Sequence, residues 1–122
     1  MTSSAPGVDE FLPLTSTVFH ILLSLADQER HGYGIMQEVE AMTRGQIRMG
    51  PGTLYGAIKR MLAANLIVES DERPDPGYDD ERRRYYRLTA LGQRVLGAEA
   101  QRLSHLVNVA QRKRIAGSQE MG

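Results

Sequence analysis

Apolar residues recur every three or four positions along four segments of the chain, which is the spacing of a helix with one buried face. The first segment is apolar nearly all round, so more than one neighbour must bury it. Thr15 or Ser16 can cap the first helix and Thr89 can cap the last. Pro51 suits the first turn of the third helix, and Asn65 favours its end. The four helices are predicted at residues 14–26, 32–42, 51–65 and 90–115.

A β-hairpin is predicted between the third and fourth helices. Residues 67–72 have the composition of a short strand, and residues 73–81 are rich in turn formers. Residues 82–89 alternate basic with aromatic or aliphatic side chains, as a second strand would. The turn-rich stretch is long for a hairpin loop, so we expect it to project from the sheet. Its base would carry three arginines, Arg82, Arg83 and Arg84.

Three short helices, a hairpin and a long helix follow the order of a winged helix-turn-helix domain, a mainly α (α+β) fold. The 122 residues have room for one such domain. In this fold the third helix reads DNA and the hairpin is the wing. The predicted division is a flexible N-terminal arm at 1–12, the winged helix-turn-helix domain at 13–88, a C-terminal dimerisation helix at 89–115 and a flexible tail at 116–122.

The charges are balanced overall but unevenly distributed. The chain has fifteen Lys and Arg residues and fifteen Asp and Glu residues, so its formal net charge is zero. From Arg82 to Arg114 there are nine basic residues and a single acidic one, Glu99, so this segment has a net charge of plus eight and the rest of the chain minus eight. Such asymmetry indicates a basic face that could meet a polyanion, although a solvated charged helix has the same pattern.

The sequence contains no recognisable catalytic or metal-binding arrangement. It has no cysteine, which excludes disulfides and thiolate chemistry. No Ser or Thr has a His or carboxylate at a recognisable spacing, and His20, His31 and His105 are scattered without ligand spacing. No stretch approaches the ~18 consecutive apolar residues of a membrane span. We therefore expect a cytoplasmic protein that is not an enzyme, with no cofactor and no bound metal.

Three stretches resemble the signature segments of PadR-family transcriptional regulators. They are HGYGIMQEVE at 31–40, GTLYGAIKRMLAANLIVES at 52–70 and RRRYYRLTALG at 82–92, in the order and spacing of the family. The resemblance covers roughly residues 14 to 115, and the single C-terminal helix resembles the shorter subgroup. One departure is Gly56, which stands where the family usually has proline. A glycine there costs helix stability but allows a closer approach of the backbone to phosphate.

The resemblance implies that the partner is double-stranded operator DNA, contacted by the second helix, the third helix and the wing. A tyrosine hydroxyl can reach a phosphate oxygen, and a threonine at a helix N-terminus helps the free amides to bind phosphate. The alternative for the cations of the third helix is a solvated helix face. The alternative for the wing arginines is pairing with the neighbouring acids Asp79, Asp80 and Glu81. The candidate DNA contacts are Tyr33, Gly52, Thr53, Tyr55, Lys59, Arg60, Arg82, Arg83 and Arg84.

An apolar seam runs along the long last helix and exceeds what so small a domain can cover. We therefore expect this helix to build a homodimer together with the first helix, as the resemblance also implies. The residues assigned to the dimer contact are Leu22, Leu91, Val95, Leu103, Leu106, Val107 and Ala110.

The resemblance further implies a bacterial repressor that responds to a small-molecule effector. Family effectors range from phenolic acids to planar drugs, and the motifs identify none of them. One pocket type of the shorter subgroup uses a tryptophan at the dimer interface, and this sequence has no Trp. A different function class stays open, a winged-helix dimer that docks on another protein without reading DNA. Binding that weakens steeply with ionic strength would favour DNA.

Overall fold

The computed structural model describes residues 7–70, 73–75 and 78–114. These residues form four α-helices, five short strands and one turn of 3-10 helix at Asp9–Phe11. The helices are α1 (Ser16–Ser24), α2 (Gly32–Met42), α3 (Pro51–Ala63) and α4 (Ala90–Arg112). The strands are β1 (Arg30–His31), β2 (Ile67–Glu69), β3 (Arg73–Asp75), β4 (Tyr78–Arg83) and β5 (Tyr85–Leu88). The four predicted helices and the mainly α winged fold are confirmed.

The helix ends follow from local capping. The hydroxyl oxygens of Thr15 and Thr89 each accept the N–H three residues further on, at 3.2 and 2.9 Å, as predicted for these caps. The sequence analysis missed the cap of α2, where Nδ1 of His31 accepts the Gly34 N–H at 3.0 Å. Asn65 lies just beyond α3 with a φ of 64°, a left-handed conformation that Asn tolerates, so it ends the helix as predicted.

The strands form two small antiparallel sheets. β5 lies at the centre of a three-stranded sheet in the order β1-β5-β2, and β3 pairs with β4 in the wing. Arg73 lies opposite Arg83 in this second pair. The predicted loop at 73–81 is therefore wrong in part, because residues 73–75 and 78–81 belong to paired strands. β1 was not predicted, since a two-residue strand has no periodic pattern to detect.

The hydrophobic core lies where the helices meet the three-stranded sheet. The helical spacing of Leu54, Ile58, Met61 and Leu62 predicts one apolar stripe on α3, and Leu54, Ile58 and Met61 are buried there. Ala57 lies outside the stripe that this spacing predicts and was therefore expected on the outward face. It is buried, so that expectation is wrong, and the buried stripe of α3 is one position wider. Tyr86 of β5 is buried, and this burial is the main reason that its pKa lies above the ordinary value. Its phenol therefore stays neutral in the core.

Two residues assigned to the dimer contact belong to this core instead. Leu22 and Val95 are both 0% exposed, because the first half of α4 packs onto α1 within the same chain. A second copy cannot reach side chains that a single chain already encloses, so their assignment to the dimer contact was wrong. Leu91 is half-buried and packs against the same core.

The segment just before α1 is ordered, although the sequence predicted a flexible arm there. Asp9–Phe11 form the 3-10 turn, and Val8 and Leu12 beside it pack against the core. The segment has too few apolar residues to give a periodic pattern, so its docking could not be predicted. Residues 1–6 and the predicted tail at 116–122 lie outside the described residues.

Glu99 ties this N-terminal segment to α4. Its carboxylate is buried, and Oε2 accepts the backbone N–H of Leu14 at 3.2 Å. Arg102 donates from Nε to Oε1 at 2.7 Å and from Nη2 to Oε2 at 2.9 Å. These bonds from Arg102 hold the pKa of Glu99 below its ordinary value, against the opposing effect of burial. The same contact raises the pKa of Arg102.

Replacing Glu99 with Gln should lower the free energy of unfolding at neutral pH by about 1–2 kcal/mol, because the amide loses the charge-assisted bonds. Folding lowers the pKa of Glu99, so its stabilisation is complete above the ordinary value of 4.5 and is lost as pH falls through the folded value. Urea unfolding should therefore give a difference between wild type and E99Q that shrinks on acidification. The exposed Glu10 supplies the control, E10Q, which should match wild type at each pH. Equal stabilities of E99Q and wild type at neutral pH would contradict this role.

Gly92 lets α4 approach the start of β2. A Cβ added to it would overlap the carbonyl oxygen of Leu66. That oxygen also accepts the Thr89 N–H at 3.1 Å and the Thr89 hydroxyl at 3.2 Å. The two backbones cannot separate without breaking these bonds, so the position requires glycine.

Replacing Gly92 with Ala should lower the free energy of unfolding by about 2–3 kcal/mol through overpacking. Gly97 in the same helix is the matched control, because no atom lies within 4 Å of the Cβ that G97A would add. G97A should gain up to about 1 kcal/mol from helix propensity. Urea unfolding of both variants measures the difference, and a G92A protein as stable as G97A would refute the close approach.

Candidate nucleic-acid interface

The exposed face of α3 carries positive charge and small residues. Lys59 and Arg60 are exposed on it, and α3 contains no acidic residue. A Cβ added at Gly52 would meet no atom within 4 Å, and one added at Gly56 would meet only Nη1 of Arg60, at 3.7 Å. A ligand can therefore approach the α3 backbone closely and meets two cations there.

The N-terminus of α3 adds partial positive charge to this face. The N-cap residue Gly50 has no side chain that could accept the first N–H groups of α3, and Pro51 has no N–H. The N–H groups of Gly52 and Thr53 lie in the first turn, where the helix supplies no acceptor, and both residues are exposed. Together with the helix dipole, these groups favour an anion such as a phosphate.

Two exposed tyrosines bring the start of α2 beside α3. Tyr33 is 51% exposed and Tyr55 is 45% exposed, which is high for aromatic side chains. The hydroxyl of Tyr55 lies against Gly32, where an added Cβ would overlap it. Gly32 is the residue before Tyr33. The contact between Tyr55 of α3 and Gly32 of α2 therefore brings the Tyr55 hydroxyl close to the backbone of the other predicted site tyrosine. The sequence predicted both tyrosines but not the contact between Tyr55 and Gly32.

One of the three wing arginines, Arg84, lies beside an acid on another strand. Nη1 of Arg84 lies 3.2 Å from Oε2 of Glu69 on β2, so Arg84 has a partner that the sequence analysis did not consider. Both side chains are largely exposed, and such a pair contributes little to stability. Arg83 is half-buried at the end of β4. The predicted pairing of the wing arginines with neighbouring acids also involves Asp79, Asp80, Glu81 and Arg82. The side chains of these four residues lie outside the described part of the structure.

Sequence analysis missed two cations in the turn between α2 and α3. Arg44 is exposed with a φ of 57°, and Arg48 is exposed two residues before the N-cap of α3. Nε of Arg48 lies 3.2 Å from Oε2 of Glu40, in a pair open to solvent. The two arginines among residues 43–50 were the available signal.

The histidines serve local roles in the described part of the chain. Nδ1 of His20 lies 2.7 Å from the carbonyl oxygen of Ser16, His31 caps α2, and His105 is exposed on α4. Among the described residues, no three His, Asp or Glu side chains gather in a way that could hold a metal ion. Within the same ranges, no helix is both long enough and apolar enough to cross a membrane.

The second half of α4 exposes an apolar stripe. Leu106 is 47% exposed and Val107 is 51% exposed, and Leu103 and Ala110 flank them as half-buried residues. The four positions have the i, i+3, i+4, i+7 spacing of one helix face. They are the part of the predicted dimer contact that the structure leaves accessible, and we call them the α4 stripe.

The comparison with protein-family models matches residues 21–98 to a family described as "Transcriptional regulator PadR-like family". The chain belongs to the PadR-like family. The match begins in α1 and ends in the first half of α4, so it includes α3 and the wing. The PadR-like family consists of transcriptional regulators and not of enzymes, as the sequence analysis predicted.

Two curated relatives of this PadR-like chain differ in length. It is 38% identical over 87 residues to "Transcriptional regulator Rv3488" of Mycobacterium tuberculosis (strain ATCC 25618 / H37Rv), which is 71% of this chain and 75% of that protein. It is 35% identical over 86 residues to an uncharacterized 37.1 kDa protein in transposon TN4556 of Streptomyces fradiae. That match covers 70% of this chain but 22% of the longer protein.

Solved structures of PadR proteins share the fold. A PadR family transcription regulator from Clostridium difficile R20291 superposes with a TM-score of 0.66 at 27% identity, covering 80% of this chain and 97% of that one. Bacillus subtilis PadR, solved in complex with operator DNA, has a TM-score of 0.60 at 18% identity, covering 69% of this chain and 46% of that one. The second likeness concerns the fold alone.

Proposed function

We propose that this PadR-like protein is a sequence-specific DNA-binding repressor that acts as a homodimer on an inverted-repeat operator and responds to a small molecule. The observation that carries the proposal is the exposed face of α3, which has two cations, no acid and free N–H groups at its start. Phosphates and base edges offer the acceptors that such a face would bind. The operator complex of Bacillus subtilis PadR supports the proposal, because that protein has the same fold.

The contacts can be assigned by position on α3. The N–H groups of Gly52 and Thr53 would bind a phosphate. Arg60, whose Nη1 lies near Gly56 on the open face, would reach base edges in the major groove, where arginine pairs with guanine. Lys59 lies about 100° round the helix from Arg60 and would hold the flanking backbone. Ala57 has no part in reading bases, because it is buried.

The α4 stripe supports the homodimer. A second copy could cover Leu106 and Val107 with the same residues of its own α4, in a contact with two-fold symmetry. A two-fold dimer presents two α3 helices, so its operator would be an inverted repeat with half-sites about 34 Å apart or a multiple of that. Repression would follow where such an operator overlaps a promoter.

A binding-site selection from random duplexes tests the proposal. The wild type should select an inverted repeat, and the same repeat is expected in the DNA upstream of the protein's own gene. R60M should change the preferred sequence, whereas K59A should weaken binding to all sequences about equally. The rival function, docking on a protein without reading DNA, would leave the wild type with no selected sequence at low salt.

Replacing Gly32 with Ala should push Tyr55 off the start of α2 and weaken operator binding about tenfold, the range expected for one misplaced phosphate contact. Tyr55 is exposed and its ring can swing away, so the free energy of unfolding should change by less than about 1 kcal/mol. G34A is the control, because its added Cβ would make only ordinary contacts with His31, at 3.5 Å. The affinities of G32A and G34A for one operator duplex are measured by titration. Equal affinities of the two variants would show that Tyr55 does not contact DNA.

A further inference from the structure

The cap of α2 depends on the protonation state of His31. Nδ1 of its imidazole accepts the N–H of Gly34 at 3.0 Å, and the extended backbone of His31, with a φ of −84° and a ψ of 172°, is that of an N-cap residue. A ring nitrogen accepts a hydrogen bond only while it carries no hydrogen, so the bond requires the neutral ring with its proton on Nε2. In the imidazolium both nitrogens are donors, and two N–H groups would face each other.

The ring of His20 has the opposite hydrogen-bonding role. Its Nδ1 lies 2.7 Å from the carbonyl oxygen of Ser16, and a carbonyl oxygen only accepts, so this ring donates. A neutral ring with its proton on Nδ1 and an imidazolium can both donate there. Protonation therefore breaks the capping bond of His31 but preserves the bond of His20.

The imidazole of His31 is accessible to solvent and has neighbours of both charges. The side chain is half-buried and borders a cavity of about 290 Å³. Tyr85 of β5 packs edge-on against it, with 5.2 Å between the ring centroids. The other groups around it are Glu29 and Arg30 before α2 and Gln37 of α2, with Asp27 and Glu38 beside Arg30 at 3.2 and 3.6 Å. A tyrosine phenol is uncharged where an imidazole titrates, so Glu29 and Arg30 are the charges that border the ring.

The first turn of α2, which this cap holds, carries both tyrosine contacts of the candidate interface. Tyr33 is exposed on that turn, and Gly32 beside it lies against the hydroxyl of Tyr55. Without the cap, the first N–H groups of α2 lose their acceptor, and a positive charge on the cap residue opposes the helix dipole. The first turn then frays, which displaces Tyr33 and removes the surface against which Tyr55 rests.

We propose that His31 is a positioning residue of the DNA interface, whose neutral ring holds the start of α2 in place and whose protonation weakens operator binding. The effect on DNA rests on the proposed function, whereas the effect on the cap does not. Imidazoles titrate near pH 6.5, so operator affinity should fall between about pH 7.5 and about pH 5.5. The loss of one N-cap in each subunit should lower the affinity about fivefold over this range.

The affinity of wild type and H31N for one operator duplex, measured at about pH 7.5 and about pH 5.5 at constant salt, tests the proposal. Asn is a preferred N-cap residue and does not titrate, so H31N keeps a cap at both pH values. The ratio of the two affinities should be about fivefold larger for wild type than for H31N, which retains all other titrating groups. The exposed His105 of α4 supplies the control, since H105N should keep the wild-type ratio.

An NMR titration of the full chain without DNA tests the cap by itself. The amide signal of Gly34 should move with the titration of the His31 ring in wild type and should stay in place in H31N. A Gly34 signal that ignores the ring, or equal affinity ratios for wild type and H31N, would overturn the proposal. Tighter binding by wild type than by H31N at acid pH would also overturn it, because the imidazolium would then contact phosphate directly. A Gly34 signal that follows His31 in a protein that selects no DNA sequence would support the pH-sensitive cap and refute the proposed function.

Discussion

An aspartate in place of Leu106 should separate the proposed dimer into monomers and weaken operator binding about 100-fold or more, since the two half-sites would no longer be held together. Leu106 is 47% exposed in the single chain, so the fold of one chain does not depend on it. A carboxylate in an apolar contact must give up its water without gaining a partner. Two-fold symmetry places two such carboxylates in one contact, which doubles the penalty.

Light scattering at micromolar protein concentration checks this result. Wild type should have twice the mass of one chain and L106D the mass of one chain, with unchanged helical content by circular dichroism. Asn108 is exposed on α4 about 160° round the helix from Leu106 and at least about 100° from every residue of the α4 stripe, so N108D adds the same charge on another face and should remain dimeric. A dimeric L106D protein, or a monomeric wild type, would show that the α4 stripe has another use.

The sequence predicted those parts of the fold that depend on residues close together in the chain. The helices and their Thr15 and Thr89 caps follow from spacing and from a bond to the N–H three residues on. The docked N-terminal segment was missed because its anchor, the bond from Leu14 to Glu99, spans 85 positions. Leu22 and Val95 were assigned to the dimer contact instead of the core for a similar reason. An apolar seam has the same pattern whether its own chain or a second copy covers it.

The candidate interface divides in the same way. Tyr33, Tyr55 and the α3 cations could be named from motif and charge alone, and each of them is exposed in the structure. The packing of Tyr55 on Gly32 could not be found, because nothing in the local pattern distinguishes a glycine that makes room for a ring from one that ends a turn. Arg84 donates to Glu69, which is 15 positions away on another strand, whereas sequence reasoning considered only acids adjacent to the arginines.

Operator binding should depend steeply on salt, which is the second large effect. A dimer with two copies of Lys59, of two wing arginines and of the α3 N-terminus would neutralise about 6 to 8 phosphates, so log K should fall with log salt at a slope of about −5 to −7. Between about 50 and 300 mM salt this corresponds to a loss of affinity of about ten-thousandfold to about three-hundred-thousandfold. A protein that docks through the apolar α4 stripe alone would lose almost nothing over this range.

The most direct test of the central claim, that the exposed face of α3 contacts DNA, is the salt slope of K59A beside that of wild type. K59A removes two cations from the dimer, so its slope on one operator duplex should be shallower by about 1.8, measured between about 50 and 300 mM salt. K113A removes two cations at the exposed end of α4 and should keep the wild-type slope. A wild-type slope near zero, or equal slopes for wild type and K59A, would contradict the claim that α3 faces DNA.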